Sequence, residues 1–444
     1  MTKESSAEQK KPSVGICTLG CKVSQYESQA IAEYLEAHGV QIAPFHAVND
    51  AYVINTCTVT AESDRKCRQM IRRAVRQNPA AGIVITGCYA QTQPQEVARI
   101  PGVDYVFGSR DKMAAAKAVL SLLEERAKCE AAVCRVSEVT GHDFESMQVH
   151  RSERTRAYVK IEDGCENRCS YCAIPGARGA VASKPAEQVL AEVRGLVANG
   201  YREVVLTGIE VASWGKDLGG GSLVDLLERV DALPGVERIR LGSLEPTYMK
   251  PEVIARIAAL PHVMPHFHLS AQSGSAAVLA RMRRKYSPQM LLQIMENLRA
   301  AIPDVLFTTD LMAGFCGETE EEAQETLDFV RRARFAQIHV FPFSPRRNTP
   351  AYDFPDQLSR TRREERAAQL QACADAVREE LLQEQIAQGR VYPVLFEQEQ
   401  HGESSGHTTN FLRVSVPGSV PHGAVYPVRL TGYRAGQLFG ELER

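Results

Sequence analysis

The stretch AYVKIEDGCENRCSYC, residues 157–172, decides how the rest of the chain is read. Its apolar opening is short enough for a strand and runs directly into Cys165, Cys169 and Cys172, a C-x3-C-x2-C array. Three thiolates on one loop beyond a strand suit a metal cluster. A structural zinc site normally pairs C-x2-C knuckles to reach four ligands, whereas three close cysteines leave one iron of a cubane open to a further ligand.

Downstream, the same rhythm repeats in EVVLTG, VERIRLGS, HFHLS, VLFTTDLM and IHVFPFS, with helical patterns between them. Six β/α units predict an open or partial barrel rather than a closed eight-unit one. A charged stretch over residues 359–388 predicts a long helix. The alternation in VYPVLFEQ, NFLRVSV and AVYPVRLTG then predicts a small all-β barrel. Upstream, VGICTL, AYVINT and GIVIT alternate with helical patterns near 24–38 and 61–77, the pattern of a parallel, Rossmann-like α/β domain. The fold class is therefore α/β with a terminal β-barrel. The expected divisions are a disordered tail over 1–11, an N-terminal domain over 12–128, a polar linker over 129–155, the partial barrel over 156–384 and the small β-barrel over 385–444.

The 444 residues are 44% hydrophobic and 24% charged, a balance that excludes a disordered chain, and no apolar run is long enough for a bilayer span. The polar start predicts a cytoplasmic protein, and twelve cysteines in such a chain point to metal or redox chemistry rather than disulfides. A net charge of −2 requires any nucleic-acid footprint to be local.

A second cysteine constellation lies in the N-terminal domain. Cys21, Cys57 and Cys88 follow predicted strands in TLGC, INTC and ITGC. Ligands of open parallel sheets bind outside the carboxyl ends of strands, so three such thiols can meet despite their separation in sequence. Glycines before Cys21 and Cys88 suit tight turns. Cys17 falls inside its strand, Cys67 inside a helix, and Cys129 and Cys134 near the linker, so packing accounts for these four. Arg65, Lys66, Arg68, Arg72, Arg73 and Arg76 crowd one predicted helix, and Arg281, Arg283, Arg284 and Lys285 form a second basic group. The first suits phosphates, and the second lies next to the barrel.

C-x3-C-x-aromatic-C, with Tyr171 as the aromatic, resembles the signature of radical S-adenosylmethionine enzymes. In that family S-adenosylmethionine binds through its amino and carboxylate groups at the open iron and is cleaved reductively to a 5'-deoxyadenosyl radical. With TLGCKVSQYES, INTCTVTAESDRKCRQ and TGCYAQ around the other three cysteines, almost the whole chain resembles the methylthiotransferases. Further matches are IPGARG, LTGIE, GSLEP, HLSAQSGS, MRRKYS, TTDLMAGFCGETEEE and FPFSPRRNTPA. The resemblance implies two 4Fe–4S clusters, an auxiliary one on Cys21, Cys57 and Cys88 and the radical one on Cys165, Cys169 and Cys172. It also implies a terminal RNA-binding module of the TRAM type. Tyr171, Gly208, Glu210, Ser243 and Glu245 should lie beside the bound cofactor, with Arg178 and Arg346 as orienting or RNA-binding residues. No side chain is expected as a conventional general base.

TLGCKV followed by QYES, with GCYAQ later, resembles the branch that acts on N6-threonylcarbamoyladenosine at position 37 of tRNA. The expected product is the 2-methylthio derivative. The partners are a tRNA anticodon loop, a low-potential electron donor and a sulfur source, with no membrane. The alternatives are a methylthiotransferase acting on isopentenyladenosine-37 or on a ribosomal-protein aspartate, a single-cluster radical enzyme, and a non-catalytic RNA-binding protein holding zinc. The chain departs from the family pattern at Cys316, where proline is usual, at Ser24, where asparagine is usual, and at Asn348, where glycine is expected.

Overall fold

The computed structural model describes residues 11–125, 128–152, 154–434 and 436–443. The tail expected over 1–11 lies outside them apart from Lys11. Two compact units divide the chain, Met1–Val149 with Ala173–Ala180, and His150–Cys172 with Val181–Arg444. The segment after the third clustered cysteine therefore belongs with the first unit, although the partial barrel was expected to run unbroken from 156 to 384.

Among the described residues, the first unit's sheet has six parallel strands in the order Gln41–Ala43, Ser13–Thr18, Ala51–Thr56, Gly82–Gly87, Tyr105–Phe107 and Val133–Arg135. Ala51–Thr56 and Gly82–Gly87 are buried throughout, including the polar Asn55, Thr56 and Thr86 near their carboxyl ends, and their apolar openings read without alternation. The winding reverses at Ser13–Thr18, and the carboxyl ends beside such a switch form a natural crevice. Val133–Arg135 falls in the expected linker. Three residues carry no periodicity, so only pairing with Tyr105–Phe107 reveals this edge strand.

In the second unit the six expected β/α units appear with strands Arg156–Lys160, Glu203–Thr207, Arg238–Leu241, His266–Leu269, Leu306–Ala313 and Gln337–Pro342. They form two parallel sheets, the second begun by the short strand Ser243–Leu244. The helix Arg360–Ala387 closes the series. Its Leu370, Ala374 and Val377 join the core of the β/α units, while Leu381 and Leu382 join the core of a closed five-strand barrel over residues 391–442. One helix thus serves two hydrophobic cores, and the second unit includes both.

Buried charge also links the barrel to the β/α strands. Glu203, fully buried, accepts from Nε of Arg240 at 2.6 Å and lies 3.7 Å from Arg238. Arg240 also donates to the carbonyls of Thr408 and Thr409 at 2.8 and 2.9 Å, and Arg238 to that of Pro393 at 3.1 Å. Phe411, at φ +73°, is held between the rings of His266 and His407, with centroids at 4.5 and 4.7 Å. Removing one member of a buried ion set strands the others. Glu203→Gln is expected to destabilise the second unit by roughly 3 kcal/mol, read as a lower thermal midpoint. An unchanged midpoint would show that the arginines are adequately solvated without it.

Candidate active site

The first set of thiols forms at the switch point of the parallel sheet. Cys21 is the residue before helix Lys22–Ala37, Cys57 follows strand Ala51–Thr56 directly, and Cys88 opens helix Cys88–Thr92. Gly87 adopts φ +103°, and a Cβ there would lie 2.5 Å from the Thr56 carbonyl oxygen, so only glycine allows this approach. Gly20 needs no such φ; its constraint is Ser24, whose Oγ would lie 2.6 Å from an added Cβ. The small serine at position 24 fits that close approach.

Cys57 and Cys88 both feel the Cys21 charge. Burial pushes up Cys57, and the charges of Cys88 and Cys21 push it further. Cys88, the most enclosed, is pushed up by burial, opposed by the positive charges of Arg178 and Lys112. Cys67 stands apart from this set. Its sulfur accepts from the Cys57 amide and donates to the Cys57 carbonyl, both at 3.4 Å, so it pins the turn that presents Cys57.

Arg178 is fully buried in the first unit, where its Nε donates to Cys88 Sγ at 3.2 Å and its Nη1 to Glu27 at 2.5 Å. Burial removes the RNA-binding role expected for it and leaves the orienting one. No local pattern in IPGARG marks this position, because its partners lie 90 and 151 residues away.

The second set stands at the carboxyl end of strand Arg156–Lys160. Cys169 is buried and its Sγ accepts from Nη1 of Arg284 at 3.3 Å. Arg284 Nη2 pairs with Glu245 at 2.5 Å and also donates to the Ser270 carbonyl at 3.1 Å. Burial, with Glu210 and Cys172 nearby, pushes the Cys165 thiol up to about 12, so free of metal it stays protonated. Metal ligation takes thiolates and would release these protons. Tyr171 packs against the aromatic and aliphatic cluster that contains Phe315 and Met312.

Glu162 shapes the neighbouring turn, which sequence reading missed. Its Oε2 accepts from the amides of Ile209 and Glu210 at 2.9 and 2.7 Å, and an added Cβ on Gly208 would lie 2.5 Å from it. Gly208 thus makes room for this carboxylate. A charged residue at the end of an apolar strand, next to the cysteine loop, was the available signal. Ser243 is hydrogen-bonded to Ser270 at 2.8 Å. Glu210 and Glu245 line a cavity of about 360 Å³ with Asn167, Trp214, Lys216 and Tyr248. Burial and the Glu245 charge push Glu210 up to about 7. Such a volume admits a small organic ligand.

Among the described residues no three His, Cys, Asp or Glu side chains converge on one point as a single metal ion requires. A cubane asks for something different, because each cysteine binds a separate iron and the sulfurs stand apart. Two all-cysteine sets, each with an arginine donating to one sulfur, fit that demand.

The remaining basic candidates divide. Lys66, Arg72, Arg73 and Arg76 are exposed on helix Ala61–Gln77. Arg65 is tied to Glu62 at 2.5 Å and Arg68 to Glu96 at 3.0 Å. Arg281 pairs with Glu322 and Arg284 with Glu245, so half of the second basic group is spent internally. Arg346 is half-buried at a turn where its carbonyl accepts from Thr349 Oγ1 at 2.7 Å. Asn348 in that turn has φ +65°, a conformation asparagine tolerates and glycine prefers, which accounts for the departure there. Cys316 is a buried member of an apolar cluster, and its Sγ accepts from Gln357 Nε2 at 3.1 Å. No helix among the described residues is long and apolar enough to cross a membrane.

Residues 159–330 match the family model described as Radical SAM superfamily, and residues 13–108 the one described as Uncharacterized protein family UPF0004. A protein of Bacillus subtilis (strain 168) named threonylcarbamoyladenosine tRNA methylthiotransferase MtaB is 38% identical over 91% of this chain and 90% of its own. A tRNA-2-methylthio-N(6)-dimethylallyladenosine synthase of Carboxydothermus hydrogenoformans is 34% identical over 86% of this chain and 87% of its own. Among solved structures, the radical S-adenosylmethionine methyltransferase TsrM from Kitasatospora setae has a TM-score of 0.60 over 77% of each chain at 17% identity, a likeness of fold.

Proposed function

Because the chain belongs to the tRNA methylthiotransferases of the radical S-adenosylmethionine superfamily, we propose that its substrate is N6-threonylcarbamoyladenosine at position 37 and its product the 2-methylthio derivative. It is an enzyme that uses S-adenosylmethionine and 4Fe–4S chemistry on tRNA. The zinc-holding binding protein is thereby set aside. The observation that carries the substrate is the nearly full-length match to a protein named for that nucleoside.

In this reading Cys21, Cys57 and Cys88 hold the auxiliary cluster, and Cys165, Cys169 and Cys172 the radical one. When bound, the clusters supply the electron for reductive cleavage of S-adenosylmethionine and a site for the transferred sulfur. The chain's own residues bind and orient. The cavity beside Cys165 offers Glu210 and Glu245 to an ammonium or to ribose hydroxyls, and Trp214 and Tyr248 as flat walls. Arg284 ties Cys169 to Glu245, so the cysteine loop and the cavity wall hold one geometry. Lys66, Arg72 and Arg73 face solvent and suit backbone phosphates, while the small β-barrel supplies a second RNA surface. The target base must leave its stack, which costs less in a loop than in a duplex. An electron donor and a sulfur source complete the set of partners.

A second reading, dimethylallyladenosine-37 as substrate, is favoured by the Carboxydothermus relative. Mass spectrometry of digested tRNA nucleosides from cells with and without the gene separates the two, since each hypermodified adenosine has its own methylthio product.

A further inference from the structure

We propose that Arg178, through the hydrogen bond from its Nε to Cys88 Sγ, is a positioning residue that sets the reduction potential of the auxiliary cluster. The inference rests on the reading of Cys21, Cys57 and Cys88 as cluster ligands.

A fully buried guanidinium persists only where its donors are engaged. Here Glu27 takes one edge of the fork, with Oε1 2.5 Å from Nη1 and Oε2 3.3 Å from Nη2. That bidentate grip fixes the plane of the guanidinium and leaves Nε aimed at the sulfur, 3.2 Å away. Glu27 is itself held. Asn55 Nδ2 donates to its Oε2 at 3.4 Å, and Lys112 Nζ lies 3.5 Å from the same atom. Lys112 in turn donates to Asn55 Oδ1 at 3.3 Å and Thr86 Oγ1 at 3.1 Å. Strand ends and helix are thus organised around one N–H to S contact. A donor on a cysteine sulfur stabilises the reduced cluster, which carries one more negative charge, and so raises the potential. Burial strengthens the effect because little water screens it.

The test uses the chain carrying Cys165→Ala, Cys169→Ala and Cys172→Ala, in which the auxiliary site stands alone. The parent, R178K and R178Q forms are reconstituted anaerobically with iron and sulfide. Each is titrated with dithionite and mediators while the electron paramagnetic resonance of the reduced cluster is followed. R178K keeps a positive charge but loses the fixed fork, so a purely space-filling or charge-neutralising role would leave its potential at the parent value. Both variants are expected to hold the parent's iron, and their one-electron reduction equilibrium to weaken about tenfold, which is about 59 mV. Retained iron with an unchanged potential overturns the proposal. So does loss of iron or fold in both variants, which would make Arg178 a structural element. A parent without iron would instead refute the auxiliary-cluster reading itself.

Discussion

Alanine at Cys165, Cys169 and Cys172 together is expected to lower iron from about eight to about four atoms per chain and to end production of 5'-deoxyadenosine. The three thiols lie on a loop beyond strand Arg156–Lys160, outside the hydrophobic clusters that hold the unit together. Arg284, deprived of its sulfur acceptor, keeps Glu245 and the Ser270 carbonyl. The variant should therefore fold, with a thermal midpoint lowered only by the one Arg284 donor that loses its sulfur, about 1–3 kcal/mol, so that lost activity reports lost chemistry. Anaerobic iron analysis and chromatography of the nucleoside product check both halves. Continued reductive cleavage of S-adenosylmethionine would show that another site carries the radical step.

Alanine at Cys21, Cys57 and Cys88 is expected to remove a similar share of the iron with a different loss. S-adenosylmethionine should still be cleaved, because the cysteine loop and its cavity belong to the second unit and are untouched. Methylthiolated nucleoside should disappear, since the auxiliary site is assigned the sulfur. Cys88 is buried beside Arg178 and Glu27, so its replacement strands a guanidinium donor and the first unit is expected to lose about 1–3 kcal/mol. Iron content, 5'-deoxyadenosine and methylthio product measured on one preparation separate the outcomes. Unchanged iron would refute the auxiliary site and favour a single-cluster enzyme.

The longer strands were legible because each is a short apolar run before a polar or glycine-containing turn, as in AYVINT and GIVITG, whereas Gln41–Ala43 and Tyr105–Phe107, three residues each, were not read. The positions of Cys21, Cys57 and Cys88 were legible for the same reason, one to three residues beyond strand ends, and those of Cys165, Cys169 and Cys172 from their C-x3-C-x2-C spacing. What escaped depends on distance along the chain. Arg178 reads as one more basic residue until folding sets it against Glu27, 151 residues earlier. Arg238 and Arg240 did leave a trace, since two arginines inside RIRL contradict a fully buried parallel strand unless a buried acid meets them; Glu203 does so. The Val133–Arg135 strand left none, being three residues without alternation in a polar stretch.

The most direct measurement of the central claim is quantitative mass spectrometry of tRNA nucleosides from the source cell with and without this gene, scanning both hypermodified adenosines. On this assignment, 2-methylthio-N6-threonylcarbamoyladenosine is expected to vanish without the gene, its unthiolated precursor to rise to match, and the dimethylallyl series to stay constant. Loss of the dimethylallyl product instead, or no change in either series, would contradict it.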